Sequence, residues 1–327
     1  MNRDGTTMRA FVRDRYGSPD VLRLDRVERP TLTDDGVLVR VCATSVNALE
    51  WHTLRGKPYI ARLTDGLRRP KTALLGTDVA GVVEAVGANV TDLEPGDAVF
   101  GSRTGAYAEY VSGRNLVPMP KGLTFEQAAS VSVAGQTALQ GLRDKGRLRA
   151  GQRVLINGAG GGVGTFAVQI AKALGAEVTA VTSTPNLEMA RSIGADHVLD
   201  YTRDDFTRSR GAYDLLLDIG GNRSLSSMRR ALTRNGVVVL VAPSPGQWLG
   251  PVARVLGAVV TSRFTDRKVL PFLSSVRRED LFVLKELIEA GSVVPVIDRT
   301  YPFERLPDAI RHVETGNASG KVVITVD

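Results

Sequence analysis

Apolar and polar positions recur at two different periods along this chain. Up to about residue 125 they alternate with a period of two, in short β-branched runs. Examples are VLVRVCATSV (37–46), VAGVVEAVG (79–87) and AYAEYV (106–111), separated by turn residues such as DDG and EPGD. From about 126 the rhythm changes. RVLIN (153–157) reads as a short buried strand. Val163, Phe166, Ala167, Ile170 and Leu174 then fall at helical spacing, and Gly175 stops the helix. EVTAVT (177–182), HVLDY (197–201), DLLLDIG (214–220) and VVVLVAP (237–243) read as further strands. Helices fall between them. One opens with Thr184 as cap and Pro185 as first residue and ends at Gly194. Another covers 224–235, with Gly236 behind it. This alternation predicts an α/β fold with a doubly wound parallel sheet. After about 277 come a helix (REDLFVLKELIEAG), a β segment (VVPVIDRTYPF), a second helix (LPDAIRHVETG) and a final strand (KVVITV).

The stretch INGAGGGVG (156–164) joins a strand to a helix, where backbone N–H groups point at an anion and missing Cβ atoms let a pyrophosphate approach. Gly160, Gly161, Gly162, Val163 and Gly164 are the residues expected to hold it. Gly161 suits close approach of the ligand, and Gly164 suits helix–strand packing. The competing reading is a tight turn with no ligand. The end of the next strand, VTSTPN, bears on the cofactor. An NAD enzyme usually places Asp or Glu there for the ribose 2′-hydroxyl. Here Thr182, Ser183, Thr184 and Asn186 are neutral, and hydroxyls can donate to a 2′-phosphate, so NADPH is expected. Asp218 and Gly220 end the fourth strand, and Val241 and Ala242 the fifth, at the carboxyl edge where ligands bind.

Composition narrows the classes. The chain has 327 residues, enough for two domains, and a net charge of +7. Residues 126–276 hold 18 Lys+Arg against 11 Asp+Glu, which accounts for the whole excess. A basic nucleotide-binding half attracts a phosphorylated cofactor; the plain alternative is a solvated arginine-rich surface. Aromatics are 6% and no basic run is interleaved with them, so nucleic-acid binding is not expected. Cys42 stands alone, which excludes intramolecular disulfides and four-cysteine zinc sites. The N-terminus has no apolar signal core, and the longest apolar run, near Leu249 to Val260, is broken by Arg254 and too short for a bilayer. No membrane association and a cytoplasmic location are expected.

The order of several separate motifs resembles the medium-chain dehydrogenase/reductase superfamily, in its zinc-independent quinone oxidoreductase branch. The resemblance runs through VCATSVNALEWHTLRG (41–56), LLGTDVAGVVEAVG (74–87), EPGDAVFG (94–101), GAYAEYV (105–111), AASVSVAGQTALQGL (128–142), GAGGGVG (158–164), GADHVLDY (194–201) and GKVVITV (320–326). It implies a β-rich GroES-like catalytic domain from residues 1–125 and 277–327, with a Rossmann NADP-binding domain, 126–276, inserted. It also implies pairing into a homodimer. Zinc-dependent members hold a metal at three positions that here carry Asn47, Thr77 and Val133. Those side chains cannot assemble a zinc site, so no metal is expected.

Without a metal, hydride addition to a quinone or to the C=C bond of an α,β-unsaturated carbonyl is easier than alcohol oxidation. The developing enolate oxygen then needs only one or two hydrogen-bond donors. By the resemblance, Asn47 lies beside the nicotinamide; its alternative is to hold a loop by bonding backbone. His52 stands where quinone oxidoreductases can carry a substrate-facing tyrosine, and Tyr59 is a third candidate donor. The resemblance also implies Thr137 near the nicotinamide, Tyr201 near the adenine and Lys321 as a late basic residue near the cofactor. Arg68, Arg69 and Lys71 form a basic loop cluster. The expected function is a zinc-independent, NADPH-dependent reductase of a small quinone or enone. The alternatives are a zinc-free alcohol or ketone oxidoreductase, an enoyl reductase of a biosynthetic pathway, and a non-enzymatic NADPH-binding protein.

Overall fold

Strands dominate the first 120 residues, as the period-two alternation predicts. They are β1 (Thr7–Val12), β2 (Arg23–Glu28), β3 (Val37–Val46), β4 (Asp78–Val86), β5 (Ala98–Ser102), β6 (Tyr110–Gly113) and β7 (Leu116–Pro118). Helices α1 (Ala48–Arg55) and α2 (Arg62–Asp65) lie between β3 and β4, and α3 (Phe125–Ala129) and α4 (Ser132–Leu139) follow β7. Next come β8 (Arg153–Asn157), α5 (Gly162–Ala173), β9 (Glu177–Thr182), α6 (Leu187–Ser192), β10 (His197–Asp200), β11 (Tyr213–Asp218), α7 (Leu225–Ala231), β12 (Leu232–Leu240) and β13 (Lys268–Pro271). The chain ends with α8 (Arg278–Glu289), β14 (Ile297–Pro302), α9 (Leu306–Glu314) and β15 (Lys321–Thr325). The computed structural model describes residues 6–59, 62–241 and 266–326. The apolar run near Leu249–Val260 and Ala242 lie outside the described residues. Among the described residues, no helix is long and apolar enough to cross a membrane.

The chain divides into two units: residues 1–133, 276–289 and 295–327 in one, and 134–275 with 290–294 in the other. The first unit carries a seven-stranded sheet in the order β14-β15-β3-β4-β5-β7, with β6 also on β3. Its pairs are antiparallel except β14 with β15. Val39, Val41, Val79, Val99, Tyr107 and Ile324 belong to one buried cluster. The first unit reaches past 125, because α3 packs on β3 and β4.

The second unit carries a six-stranded, wholly parallel sheet in the order β10-β9-β8-β11-β12-β13. Its strand order reverses at β8, and ligands bind beyond the carboxyl ends of the strands there. Residues 290–294 belong to this unit. The Gln169 carboxamide donates to the Val294 carbonyl (2.9 Å) and accepts from the Val294 N–H (2.8 Å), as a strand partner would. Three local expectations change. The helix expected over 224–235 stops at Ala231, because Leu232 joins β12 opposite Tyr213 and is fully buried. Strand pairing therefore overrides the helical pattern. Ser183, not Thr184, caps the turn before α6. β13 is a sixth strand that the apolar pattern did not mark.

Candidate active site

In the parallel unit the glycine loop is set by backbone geometry. Gly158 has φ +93°, in the left-handed region that side chains disfavour. A Cβ on Gly164 would sit 2.1 Å from the Gly158 carbonyl oxygen, so α5 can pack this close to the turn only with glycine there. A Cβ on Gly160 would meet the Thr182 hydroxyl at 2.3 Å. Gly161 differs: its nearest protein atom would be 3.9 Å away, so no protein atom demands glycine there. The open side of Gly161 and the first N–H groups of α5, at Gly162, Val163 and Gly164, fit a pyrophosphate.

The rim of this sheet carries the other expected cofactor contacts. Ser183 is half-buried and Tyr201 is exposed, with its N–H bonded to the Thr182 carbonyl. The Thr184 hydroxyl donates to Asp200 Oδ2, and Asp200 also accepts from the Thr202 hydroxyl and N–H. These bonds from Thr184 and Thr202 hold the Asp200 carboxyl below its ordinary range. A carboxylate therefore stands beside the neutral strand end, contributed by β10 rather than β9. Asp218 is buried, with Oδ1 accepting from Asn157 Nδ2 (2.7 Å) and the Gly221 N–H (3.1 Å), so it shapes the β11 turn. The Val241 N–H bonds the Asp218 carbonyl, and the Thr137 hydroxyl donates to Ser274 (2.9 Å).

In the β-rich unit three adjacent strands, β15, β3 and β4, bring distant polar residues together. Val322 faces Val46, so the next antiparallel pair sets Lys321 opposite Asn47. Ala43 faces Ala80, which in turn sets Ser45 opposite Asp78. Lys321 Nζ donates to Asn47 Oδ1 (2.5 Å) and to Asp78 Oδ2 (3.1 Å). Asp78 Oδ2 also accepts from Asn47 Nδ2 (2.8 Å) and the Ser45 hydroxyl (2.5 Å), and Oδ1 accepts from the Val133 N–H (2.8 Å). Asp78 and Lys321 are 0% and 2% exposed. Such an ion pair survives burial only when its remaining bonds are made, and Asp78 has four donors.

Asn47 follows β3 and precedes α1 with extended backbone. Its N–H donates to Glu50 Oε2 (2.8 Å). Its carboxamide oxygen and one N–H are held by Lys321 and Asp78, which leaves the second N–H to donate. Glu50 is buried, and its Oε1 has no partner at hydrogen-bond geometry. Burial, with the Asp78 charge adding to it, pushes the Glu50 carboxyl up to about 7; the Thr77 hydroxyl and Lys321 act the other way.

The other expected donors stand apart from this network. His52 stacks on Trp51 (3.6 Å between centroids), its Nδ1 is buried without a partner, and burial lowers its pKa. It is therefore a neutral imidazole near pH 7, not a ready proton source. The Tyr59 ring packs under the Arg62 guanidinium (4.7 Å). Lys321, the expected late basic residue, has its ammonium buried against Asn47 and Asp78. Asp78 and Glu50 were the residues that motif reading passed over, although Asp78 closes the quoted Gly76-Thr77-Asp78 triplet.

Two family models match the chain: an alcohol dehydrogenase GroES-like domain over residues 33–121 and a zinc-binding dehydrogenase over 193–324. The span matched by the second does not contain Asn47, Thr77 or Val133, whose side chains are not a zinc-ligand set. The Asn47 carboxamide oxygen, moreover, already faces an ammonium. The chain is 33% identical to 2-methylene-furan-3-one reductase of Solanum lycopersicum, covering 97% of this chain and 79% of that one. It is also 33% identical to the NADPH-dependent alkenal/one oxidoreductase, chloroplastic, of Arabidopsis thaliana, with the same coverage. The quinone oxidoreductase from Coxiella burnetii superposes with a TM-score of 0.86 at 28% identity, covering 98% of this chain and 100% of that one. A GroES-like domain, a parallel nucleotide-binding sheet and relatives matched over 97% of this chain agree, and the chain belongs to the quinone oxidoreductase-like branch of the medium-chain dehydrogenase/reductase superfamily.

Proposed function

We propose that this protein reduces a small quinone, or the C=C bond of an α,β-unsaturated carbonyl, with NADPH and without zinc. The observation that carries the reading is the fixed Asn47 carboxamide. Lys321 and Asp78 hold its oxygen and one N–H, which leaves the other N–H to meet a carbonyl oxygen as negative charge develops there. The buried Lys321 charge adds to that stabilisation through its bond to the Asn47 carboxamide oxygen. The nicotinamide cofactor supplies the hydride when bound. Gly161 and the α5 N-terminus hold its pyrophosphate, and Ser183 donates to its 2′-phosphate. The names of the tomato and Arabidopsis relatives, both reductases of conjugated carbonyl compounds, support the same chemistry.

The test is NADPH oxidation, followed at 340 nm, over a panel of quinones, enones, saturated ketones and aldehydes. Saturated product from enones, or quinol from quinones, is expected. Turnover of saturated ketones alone would replace this reading with a carbonyl oxidoreductase. Tight NADPH binding with no turnover would replace it with a binding protein. A cytoplasmic location and a homodimer belong to the same reading; cell fractionation and light scattering behind size-exclusion chromatography test them.

A further inference from the structure

A pocket of about 590 Å³ opens in the β-rich unit beside the Asn47–Asp78–Lys321 network. Its wall includes Thr77, the residue before Asp78, and Ser102, which pairs with Asp78 across β4 and β5. The rest comes from the loop before β3, the loop after β5, the end of β6 with the β6–β7 turn, and Val276 just before α8. Its volume is that of a site for a small organic ligand.

The chemistry of this wall is one-sided. It holds two arginines, Arg103 and Arg114, and hydroxyls that include Thr31, Thr33 and Ser112, but no carboxylate. Arg114 is paired with Asp35 at the surface. Arg103 has no acidic partner among the described residues. Its backbone N–H donates to the Thr77 carbonyl (2.7 Å), and its aliphatic stem lies over Gly113, where an added Cβ would meet Arg103 Cδ at 3.0 Å. An exposed guanidinium with unused donors, rooted in the pocket wall and ringed by hydroxyls, is a receptor for anionic oxygen. The exposed Arg68, Arg69 and Lys71 loop does not line this pocket.

We propose that the pocket binds an anionic oxygen group, a carboxylate or a phosphate, at the end of the substrate remote from the reduced bond. The inference rests on the quinone and enone reading above and narrows its substrate class to acidic enones or quinones. Arg103 is the specificity-determining contact, with Thr31, Thr33 and Ser112 completing the set of donors.

The experiment compares three substrates on one enone scaffold with a four-carbon tether: a terminal carboxylate, its methyl ester and a terminal phosphate monoester. The carboxylate or the phosphate should show a KM about tenfold or more below that of the ester, and the lower of the two identifies the natural group. Arg103→Gln should raise the KM of the preferred anion to the ester's value, with kcat/KM for the ester unchanged. Equal KM for all three, or an Arg103→Gln loss shared by the ester, overturns the proposal while leaving the reductase reading standing. If none of the three is reduced, the reductase reading fails instead. Calorimetric titration of the tethered carboxylate and phosphate into the wild type and Arg103→Gln then decides the pocket: binding of either that depends on Arg103 upholds it, and no such binding overturns it.

Discussion

Lys321, at the start of β15, and Asn47, just past the end of the antiparallel β3, are 274 positions apart in sequence, and the lysine ammonium donates to the asparagine carboxamide oxygen. This bond sets which way the amide points. Asn47 therefore presents N–H rather than C=O to whatever approaches it.

Replacing Asn47 by alanine should lower turnover by about a hundredfold to a thousandfold, the usual loss for one oxyanion donor. NADPH affinity, measured by fluorescence titration, should stay within a few-fold of wild type. Unchanged turnover would remove Asn47 from the reaction.

Lys321→Met should destabilise the β-rich unit by about 3–5 kcal/mol, because the buried Asp78 carboxyl loses its cation. Urea unfolding measures this as a lower midpoint at unchanged slope. A midpoint equal to wild type would mean that the buried pair contributes nothing to stability.

Glu50 makes stability depend on pH in a definite direction. Its carboxyl titrates near 4.5 when unfolded and near 7 when folded, so the folded state binds more protons between those values. Stability is full below about 4.5, falls as pH rises to about 7, and is level above, a change on the order of 3 kcal/mol. Melting curves of Glu50→Gln against wild type over this window should show the pH slope reduced in the variant. Parallel slopes would mean that Glu50 does not titrate there.

Gly161 and Gly164 should separate folding from binding. Gly161→Ala leaves room within the protein, so its melting temperature should match wild type while NADPH affinity falls. Gly164→Ala forces a Cβ against the Gly158 carbonyl, so both should fall. An intact NADPH affinity in Gly161→Ala would move the pyrophosphate away from this loop.

Cofactor choice tests the Asp200 finding. NADPH should bind more tightly than NADH through Ser183, but the Asp200 charge nearby opposes the 2′-phosphate. Asp200→Asn should therefore strengthen NADPH binding and leave NADH binding nearly unchanged. Titration of both cofactors with both proteins reads this out; equal affinities for NADPH and NADH in the wild type would refute the NADPH preference.

Much of the architecture was legible because its causes are local. The glycine loop, the strands at 153–157 and 177–182 and the helix that Gly175 stops follow from apolar period and turn chemistry within a few residues. By contrast, the helix expected over 224–235 failed at Leu232, where pairing with Tyr213 outweighs local propensity.

The sequence by itself determined the alternating parallel unit, the glycine turn between β8 and α5, and the family, because each depends on neighbours in the chain or on motif order. Only the tertiary structure decided what Asn47, Glu50, Asp78 and Lys321 do. Asp78 is 31 positions from Asn47 and 243 from Lys321, and strand register alone brings the three within hydrogen-bond reach. Burial then sets their chemistry. Away from water, Asp78 gathers four donors, Asn47 is held in one orientation, and the Glu50 carboxyl rises to about 7.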